Sequence, residues 1–429
     1  MDEVAAVAGQ LLSSSEAEWA GVTADILAQT QQVPAISKVN GKYICARCGG
    51  VVPTSSQRLP SGVVYCGACI ALGRISSDMM LWQFPQPHYA PAALQMSWHG
   101  QLTPQQVSVA DELIATYQTG GERLLWAVTG AGKTEMLFPL LEQALAAGTR
   151  VAIVSPRIDV ILELAPRIAA AFADVPLAVR YGGSGPQAVG QLLLATVHQL
   201  LRFKKTFGLI IVDEVDAFPY AADPVLERAV RSASCGARIF LTATPSASLL
   251  ARSKRGQLAI SYLPRRFHGF PLPLPQVIVD ASVTKLSARA RGIISRVIRQ
   301  CARTLIFVPA VEQLRPLQLA LAKLNITAET VYSAEPLRKE RVQRLRQGEV
   351  NVLISTTILE RGVTFPNCGV IVLQADAPLF ATSALVQMAG RAGRAKEHPA
   401  DPVYFLCRNY NLAIAGALRQ IKQMNRRRA

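Results

Sequence analysis

Several things are scarce in this 429-residue chain, and each scarcity excludes something. Half of the residues are apolar, yet no stretch approaches the ~20 consecutive apolar residues that a membrane-crossing helix needs. The start, Met1-Asp2-Glu3, lacks the positive charge of a secretory leader, so the chain is expected to be cytoplasmic. In that reducing compartment its eight cysteines are expected to be free thiols or metal ligands rather than disulfides. Acidic residues are scarcest near the end. Residues 281–429 hold 9 acidic and 23 basic residues, against 6 and 5 in residues 1–100 and 14 and 17 in residues 101–280. The net +16 is therefore mainly a property of the last third, where it would attract a polyanion such as nucleic acid or simply keep a surface solvated.

What is present divides the chain. Residues 1–40 are alanine-rich with a helix-like start and carry no assignable chemistry. Within residues 41–73, Cys45, Cys48, Cys66 and Cys69 form C-x2-C-x17-C-x2-C. Each C-x-x-C puts two thiolates on one tight knuckle, and two knuckles close a sulfur tetrahedron that suits a structural Zn²⁺; a redox pair is the competing reading. Residues 74–100 connect to a region, 101–265, where short apolar runs (RLLWAV, RVAIVSP, LLLATV, FGLIIVDE, ARIFLTAT) alternate with helical ones. Continuous apolar strands are buried on both faces, which means a parallel sheet covered by helices. Pro271, Pro273 and Pro275 make 266–276 an extended linker. Residues 277–429 repeat the alternation without a second phosphate loop. The expected fold class is α/β: two tandem lobes with parallel sheets, preceded by a small four-cysteine module, with a nucleotide in the cleft between the lobes.

The chemistry sits at strand ends. WAVTGAGKTEML (126–137) has the form of a phosphate-binding loop, except that Ala127 stands where the first glycine is expected. Gly130 and Gly132 can adopt positive φ, so that N–H groups from Thr129 through Ala131 and Gly132 turn inward around a phosphate. Lys133 supplies the charge for the β and γ phosphates, and the Thr134 hydroxyl is expected on Mg²⁺. MLFPLLEQALAAG reads as the helix that the loop opens. In FGLIIVDEVDAF the strand ends at Asp213, a second Mg²⁺ contact, and Glu214, the group that orients and deprotonates the attacking water. In QMAGRAGR, Gln387, Arg391 and Arg394 have spacings that place the guanidinium groups near one helical face, suited to a γ-phosphate. The bland readings are a Gly-rich turn, an acid-capped surface strand and an exposed basic helix. A further cluster, Arg338, Lys339, Arg341, Arg344 and Arg346, reads equally well as a solvated helix.

Together these segments resemble the superfamily 2 helicases from residue 102 to 394. LTPQQ (102–106) resembles the adenine-reading motif, with Gln106 as the contact, and AVTGAGKT (127–134) the first motif in the alanine-led form those helicases use. SPR (155–157) and ATVHQL (195–200) resemble DNA-contacting motifs, which implies roles for Arg157 and Thr196. TATP (242–245) is similar to the coupling motif, carried by Thr242 and Thr244. LIFVPA (305–310), STTILERGVT (355–364) and QMAGRAGR (387–394) resemble the second-lobe motifs, Gly362 being a nucleotide contact, with Thr364 where many relatives have aspartate. The resemblance implies RecA-like lobes, ATP and Mg²⁺. The cysteine module ahead of the first lobe, PRIDVILELAPR (156–167) and DEVDAFPY (213–220) resemble the ComFA family of late competence proteins. TGAGKTEM is also similar to the PriA replication-restart helicases, whose zinc insertion lies within the second lobe. The first resemblance implies a DNA-dependent ATPase, a translocase or helicase on single-stranded DNA that powers uptake of transforming DNA. It implies a phosphoribosyltransferase-like competence partner, the membrane DNA channel, a homo-oligomer and a peripheral place on the inner membrane face. The alternatives are a restart helicase and a zinc-dependent adaptor that uses ATP as a switch.

Overall fold

Residues 7–185, 190–280, 286–360 and 365–427 are described by a computed structural model. The chain clusters into two units, Met1–Leu125 with Thr134–Ser261, and Trp126–Lys133 with Tyr262–Ala429. In the first unit, β1 (Leu11–Leu12), β6 (Met80–Gln83) and β2 (Gln31–Pro34) form a small antiparallel sheet. A second one joins β3 (Ile36–Val39), β4 (Lys42–Cys45) and β5 (Val51–Val52), so that β4 delivers Cys45 directly to the first knuckle.

The larger sheet of this unit has the strand order β13-β7-β12-β11-β8-β10-β9. These are β7 (Glu122–Ala127), β8 (Val151–Ser155), β9 (Leu177–Arg180), β10 (Leu192–Thr196), β11 (Phe207–Val212), β12 (Ser234–Thr242) and β13 (Ala259–Leu263). Pairs from β9 through β10, β8 and β11 to β12 are parallel, as the continuous apolar runs require. All of β8 and β10 is buried. Residues 7–40 have a structural task that their sequence did not disclose. Thr206 donates to Gly9 O at 2.9 Å, Arg150 to Ala8 O at 2.9 Å and Arg180 to Gln10 Oε1 at 2.9 Å, which fastens the N-terminal segment to the large sheet. Cys45, Cys48, Cys66 and Cys69 share one apolar core with Leu193, Leu200, Phe207 and Val230. The cysteine module and the first lobe thus fold as a single body.

In the second unit the order is β14-β19-β18-β15-β17-β16. Its strands are β14 (Gln276–Val279), β15 (Arg303–Phe307), β16 (Glu329–Val331), β17 (Val352–Ser355), β18 (Cys368–Leu373) and β19 (Val403–Cys407), all parallel. Both lobes therefore have the expected α/β architecture.

A buried ionic node ties three segments of the first unit together. α1 (Ser14–Trp19) is capped by Ser13, and Glu16 at its third position faces inward. Glu16 pairs with Arg47, which sits inside the first knuckle with its side chain fully buried, and with Arg202 Nε at 2.8 Å. Burial raises the Glu16 pKa, but the attraction of Arg47 and then of Arg202 outweighs it and holds the carboxyl below its ordinary 4.5. Glu16→Ala is expected to leave Arg47 buried and unpaired, costing about 3 kcal/mol in denaturant unfolding. Because the folded pKa is depressed, the stabilisation is complete above pH 4.5 and lost as pH falls through the folded value; the variant should show a correspondingly weaker acid sensitivity.

Candidate functional site

The four thiols converge. Their sulfur atoms all lie within 4.8 Å of one another, with Cys45–Cys69 at 3.8 Å and Cys48–Cys66 at 3.6 Å. A tetrahedral Zn²⁺ with Zn–S near 2.3 Å requires sulfur–sulfur edges of about 3.8 Å, so the cluster is compatible with zinc. All four cysteines are buried, leaving no open position for a substrate and marking the site as structural.

The phosphate loop leaves β7 and takes the backbone shape that its glycines allow. Gly130 and Gly132 have φ of +80° and +72°. The loop is also held by the segment that follows β13: Val128 N donates to Leu263 O and Phe267 N to Gly130 O, each at 3.0 Å. Lys133 and Thr134 open α2 (Lys133–Met136), and Thr134 is buried. The helix expected after the loop is broken. α2 stops, and α3 (Phe138–Ala146) restarts with Pro139 in its first turn, because proline cannot donate to the preceding turn.

At the end of β11, buried Asp213 accepts from Glu214 N at 2.9 Å. Glu214 has φ +56°, a left-handed conformation that costs a non-glycine residue of order 1 kcal/mol and is maintained here by its surroundings. Two residues on, Asp216 accepts from Thr242 Oγ1 at 2.6 Å and from Thr244 Oγ1, while Thr244 N donates to Thr242 Oγ1 at 2.8 Å. Asp216 thus joins the acidic strand end to both threonines. The sequence displayed Asp216 in DEVD but offered no means of assigning it this bond.

The arginine segment departs from expectation. α4 (Thr382–Ala389) carries buried Gln387 but ends at Gly390, so Arg391 and Arg394 lie in the turns beyond it rather than on one helical face. The helix stops because the carbonyls past its end are taken by other donors and because Gly393, at φ +66°, reverses the chain. Arg394 Nε donates to Gly390 O at 2.9 Å. A Cβ at Gly130, whose φ of +80° already favours glycine, would lie 2.7 Å from Arg394 Nη1, and one at Gly390 would lie 2.1 Å from Thr129 Oγ1, so these side chains lie close against both glycines. Thr129 Oγ1 in turn donates to Gly390 O at 3.3 Å. Arg394 thus packs directly over the phosphate loop.

Arg266, in the segment read as linker, organises this turn. It is buried, donates from Nη2 to Gly390 O at 3.3 Å and from Nη1 to Gly393 O. Burial, and then neighbouring Arg391, push its pKa down to about 10. Asp401 accepts from Gly393 N at 3.2 Å and from Cys368 N at 2.8 Å. His268 Nε2 stands 3.2 Å from Gly393 O. The sequence had no signal to separate buried Arg266 from its neighbour Arg265.

Ser155 and Thr196 are register partners at the ends of β8 and β10, which brings Arg157 and Thr196 to one edge of the sheet. Arg157 is held by a two-point contact with Asp159, at 3.0 and 2.9 Å. Gln106 is buried near the start of the helix Pro104–Thr119, where its Oε1 accepts from Thr103 N at 2.8 Å as half of a capping box. Gly362 and Thr364 lie outside the described residues. The basic run at Arg338 forms α5 (Arg338–Gln347), in which Arg341 reaches Thr330 O at 2.6 Å and Arg344 pairs with Glu329 and Glu349. The charge of Arg341 and Arg344 is thus already neutralised.

Three family models match: the competence protein ComFA N-terminal domain over residues 7–83, the DEAD/DEAH box helicase over 103–251 and the helicase conserved C-terminal domain over 290–396. Competence protein ComFA of Streptococcus pneumoniae is 39% identical over 406 residues, covering 92% of this chain and 93% of the relative. The chain belongs to the ComFA family. Competence protein ComFA of Bacillus subtilis is 37% identical, covering 90% of this chain and 86% of the relative. Among solved structures, Saccharomyces cerevisiae Dbp5 bound to RNA and ADP BeF3 matches with TM-score 0.53 and 14% identity over 76% of this chain and 92% of its own. Mycobacterium smegmatis helicase Lhr bound to ssDNA and AMP-PNP matches with TM-score 0.54 and 20% identity over 76% of this chain and 48% of its own. This ComFA-family chain is therefore a superfamily 2 helicase-type ATPase with two RecA-like lobes, and its helicase domains imply ATP and Mg²⁺. Among the described residues no helix is long and apolar enough to cross a membrane.

Two outcomes follow from this geometry. Cys66→Ser should reduce bound zinc from one per chain to near zero by elemental analysis and, because the knuckles share the first lobe's core, lower the melting temperature of the whole first unit. Arg266→Lys keeps the charge but loses the planar fork; steady-state ATP hydrolysis should show kcat reduced roughly ten- to a hundredfold with little change in KM, as for a misplaced catalytic loop.

Proposed function

We propose that this chain is an ATP-driven translocase on single-stranded DNA that powers entry of transforming DNA into the cytosol. The observation that carries the reading is the Asp216 link, which bonds the Asp213–Glu214 strand end to Thr242 and Thr244. A static binding module has no use for such a tie; a motor needs the state of its phosphate site felt elsewhere. In this reading Lys133 and the loop from Thr129 to Thr134 hold the triphosphate, with Gln106 and Gly362 as further nucleotide contacts. Thr134 and Asp213 hold Mg²⁺, which when bound offsets phosphate charge. Glu214, aimed by its left-handed backbone, positions and deprotonates the attacking water. Gln387, Arg391 and Arg394 serve the γ-phosphate, Arg394 being already seated against Gly130. Thr242 and Thr244 relay the change to the edge carrying Arg157 and Thr196, which hold the DNA backbone without regard to sequence.

Support for the substrate comes from the family, named for competence, and from a neighbour of like fold determined with single-stranded DNA. The same reading places the protein on the inner face of the cell membrane beside a DNA channel and a phosphoribosyltransferase-like partner, working as a homo-oligomer. Single-stranded DNA should raise steady-state ATP hydrolysis at low salt; indifference to DNA would remove the motor. Glu214→Gln should reduce turnover by about a thousandfold or more while ATP-analogue binding persists, and unchanged turnover would remove Glu214 from the chemistry.

A further inference from the structure

The last acidic residue in the chain is Asp401, already committed to Gly393 N and Cys368 N. Residues 402–429 contain six arginines and lysines and no carboxylate side chain. Most of them sit on or beside α6 (Leu412–Arg426), whose buried residues are Ile414, Ala417, Ile421 and Met424, one apolar stripe packed into the second unit. Beside that stripe lies an open groove of about 620 Å³, lined among others by Tyr410, Leu418, Arg419, Lys422, Arg426 and Arg427.

We propose that this groove binds the sugar–phosphate backbone of single-stranded DNA, a contact separate from the strand-end residues and one that rests on the DNA-translocase reading. Charge argues first. Arg341 and Arg344 of α5 are matched by Glu329, Glu335 and Glu349, whereas among the described residues no carboxylate pairs with Arg419, Lys422 or Arg426, which line one groove. Spacing argues second. Three- and four-residue steps along a helix place these cations about 4.5 and 6 Å apart, a pitch suited to successive phosphates of a strand pulled out of its stacked form. Tyr410, 57% exposed at the mouth, offers a ring on which a base can stack without sequence preference. A membrane surface is the other polyanion, but an interfacial helix needs a free apolar face, and that of α6 is buried within the unit.

The groove also reaches the nucleotide chemistry. Arg427 lies over the Tyr262 ring, 3.4 Å from its centroid, and Tyr262 packs on Trp126, 5.8 Å between centroids. Trp126 is the residue before Ala127 in the strand that feeds the phosphate loop. A strand seated in the groove therefore touches a stack that ends at that loop.

The test is fluorescence anisotropy of a labelled oligothymidylate without nucleotide, over a range of salt. For Arg419→Glu with Lys422→Glu and Arg426→Glu, affinity should fall about tenfold or more and the slope of log affinity against log salt should flatten by about 2, since each phosphate neutralised on a single strand contributes about 0.7. Lys422→Gln alone should flatten it by about 0.7, which keeps the test decisive if the triple variant fails to fold. Tyr410→Ala should weaken binding with the slope unchanged. DNA-free ATP hydrolysis should be unaltered in all of them. Unchanged affinity and slope would overturn the proposal. So would oligothymidylate binding that survives the triple variant while binding to phosphatidylserine vesicles is lost, or while a dimer becomes a monomer. If the slope responds but DNA stimulates hydrolysis in no form of the protein, the groove stands and the translocase falls; if stimulation persists and binding ignores the triple variant, the reverse holds.

Discussion

Arg266 donates from its two terminal guanidinium nitrogens to the carbonyl oxygens of Gly390 and Gly393, in a place from which water is excluded. Those carbonyls lie beyond the end of a helix, where nothing in the helix itself can satisfy them, and a buried carbonyl without a donor costs roughly 1–3 kcal/mol. A planar, charged fork reaches both at once, and Gly390 O also accepts from Arg394 Nε and Thr129 Oγ1. With the turn held, Arg394 comes to lie against Gly130, and the next residue of the linker, Phe267, holds the Gly130 carbonyl from the other side. The phosphate loop and the arginine turn are thus shaped by the same short segment.

The first unit solves a different problem. A module with two tiny sheets and a single four-thiol cluster is too small to bury much core of its own. It borrows one: its cysteines pack among leucines and phenylalanines of the large sheet, and the Glu16 carboxylate bridges Arg47 of the knuckle and Arg202 of the lobe. Zinc held by the four thiols would therefore also stabilise the lobe, since whatever orders the knuckle orders part of the lobe's core. Elsewhere in the same unit, Asp216 is likewise one carboxylate shared by two partners, the hydroxyls of Thr242 and Thr244.

The basic residues of the last third are not chemically alike. Arg341 and Arg344 on α5 bond neighbouring glutamates and a backbone carbonyl, whereas Arg419 and Arg426 on α6 have no acid paired with them among the described residues. A net charge read from composition sums the two and cannot tell them apart. Cations without a paired acid contribute most to the field in solvent.

What the sequence determined by itself was whatever local pattern encodes. Continuous apolar runs specified buried parallel strands, the spacing of Cys45, Cys48, Cys66 and Cys69 specified a four-sulfur cluster, and Gly130 and Gly132 specified a backbone able to turn around an anion. The edge strands β9, β13 and β14 are short and only partly buried and carry no such pattern. Tertiary structure alone decided that the helix stops at Ala389, that Arg266 rather than Arg265 enters the site, that Asp216 binds Thr242 and Thr244, and that residues 7–40 belong to the first lobe. Each of these is a contact between groups far apart in the chain. Hydrophobic periodicity and spacing report what a segment prefers near itself, whereas a hydrogen bond or ion pair across such a separation exists only once packing has removed the water that would otherwise satisfy both partners.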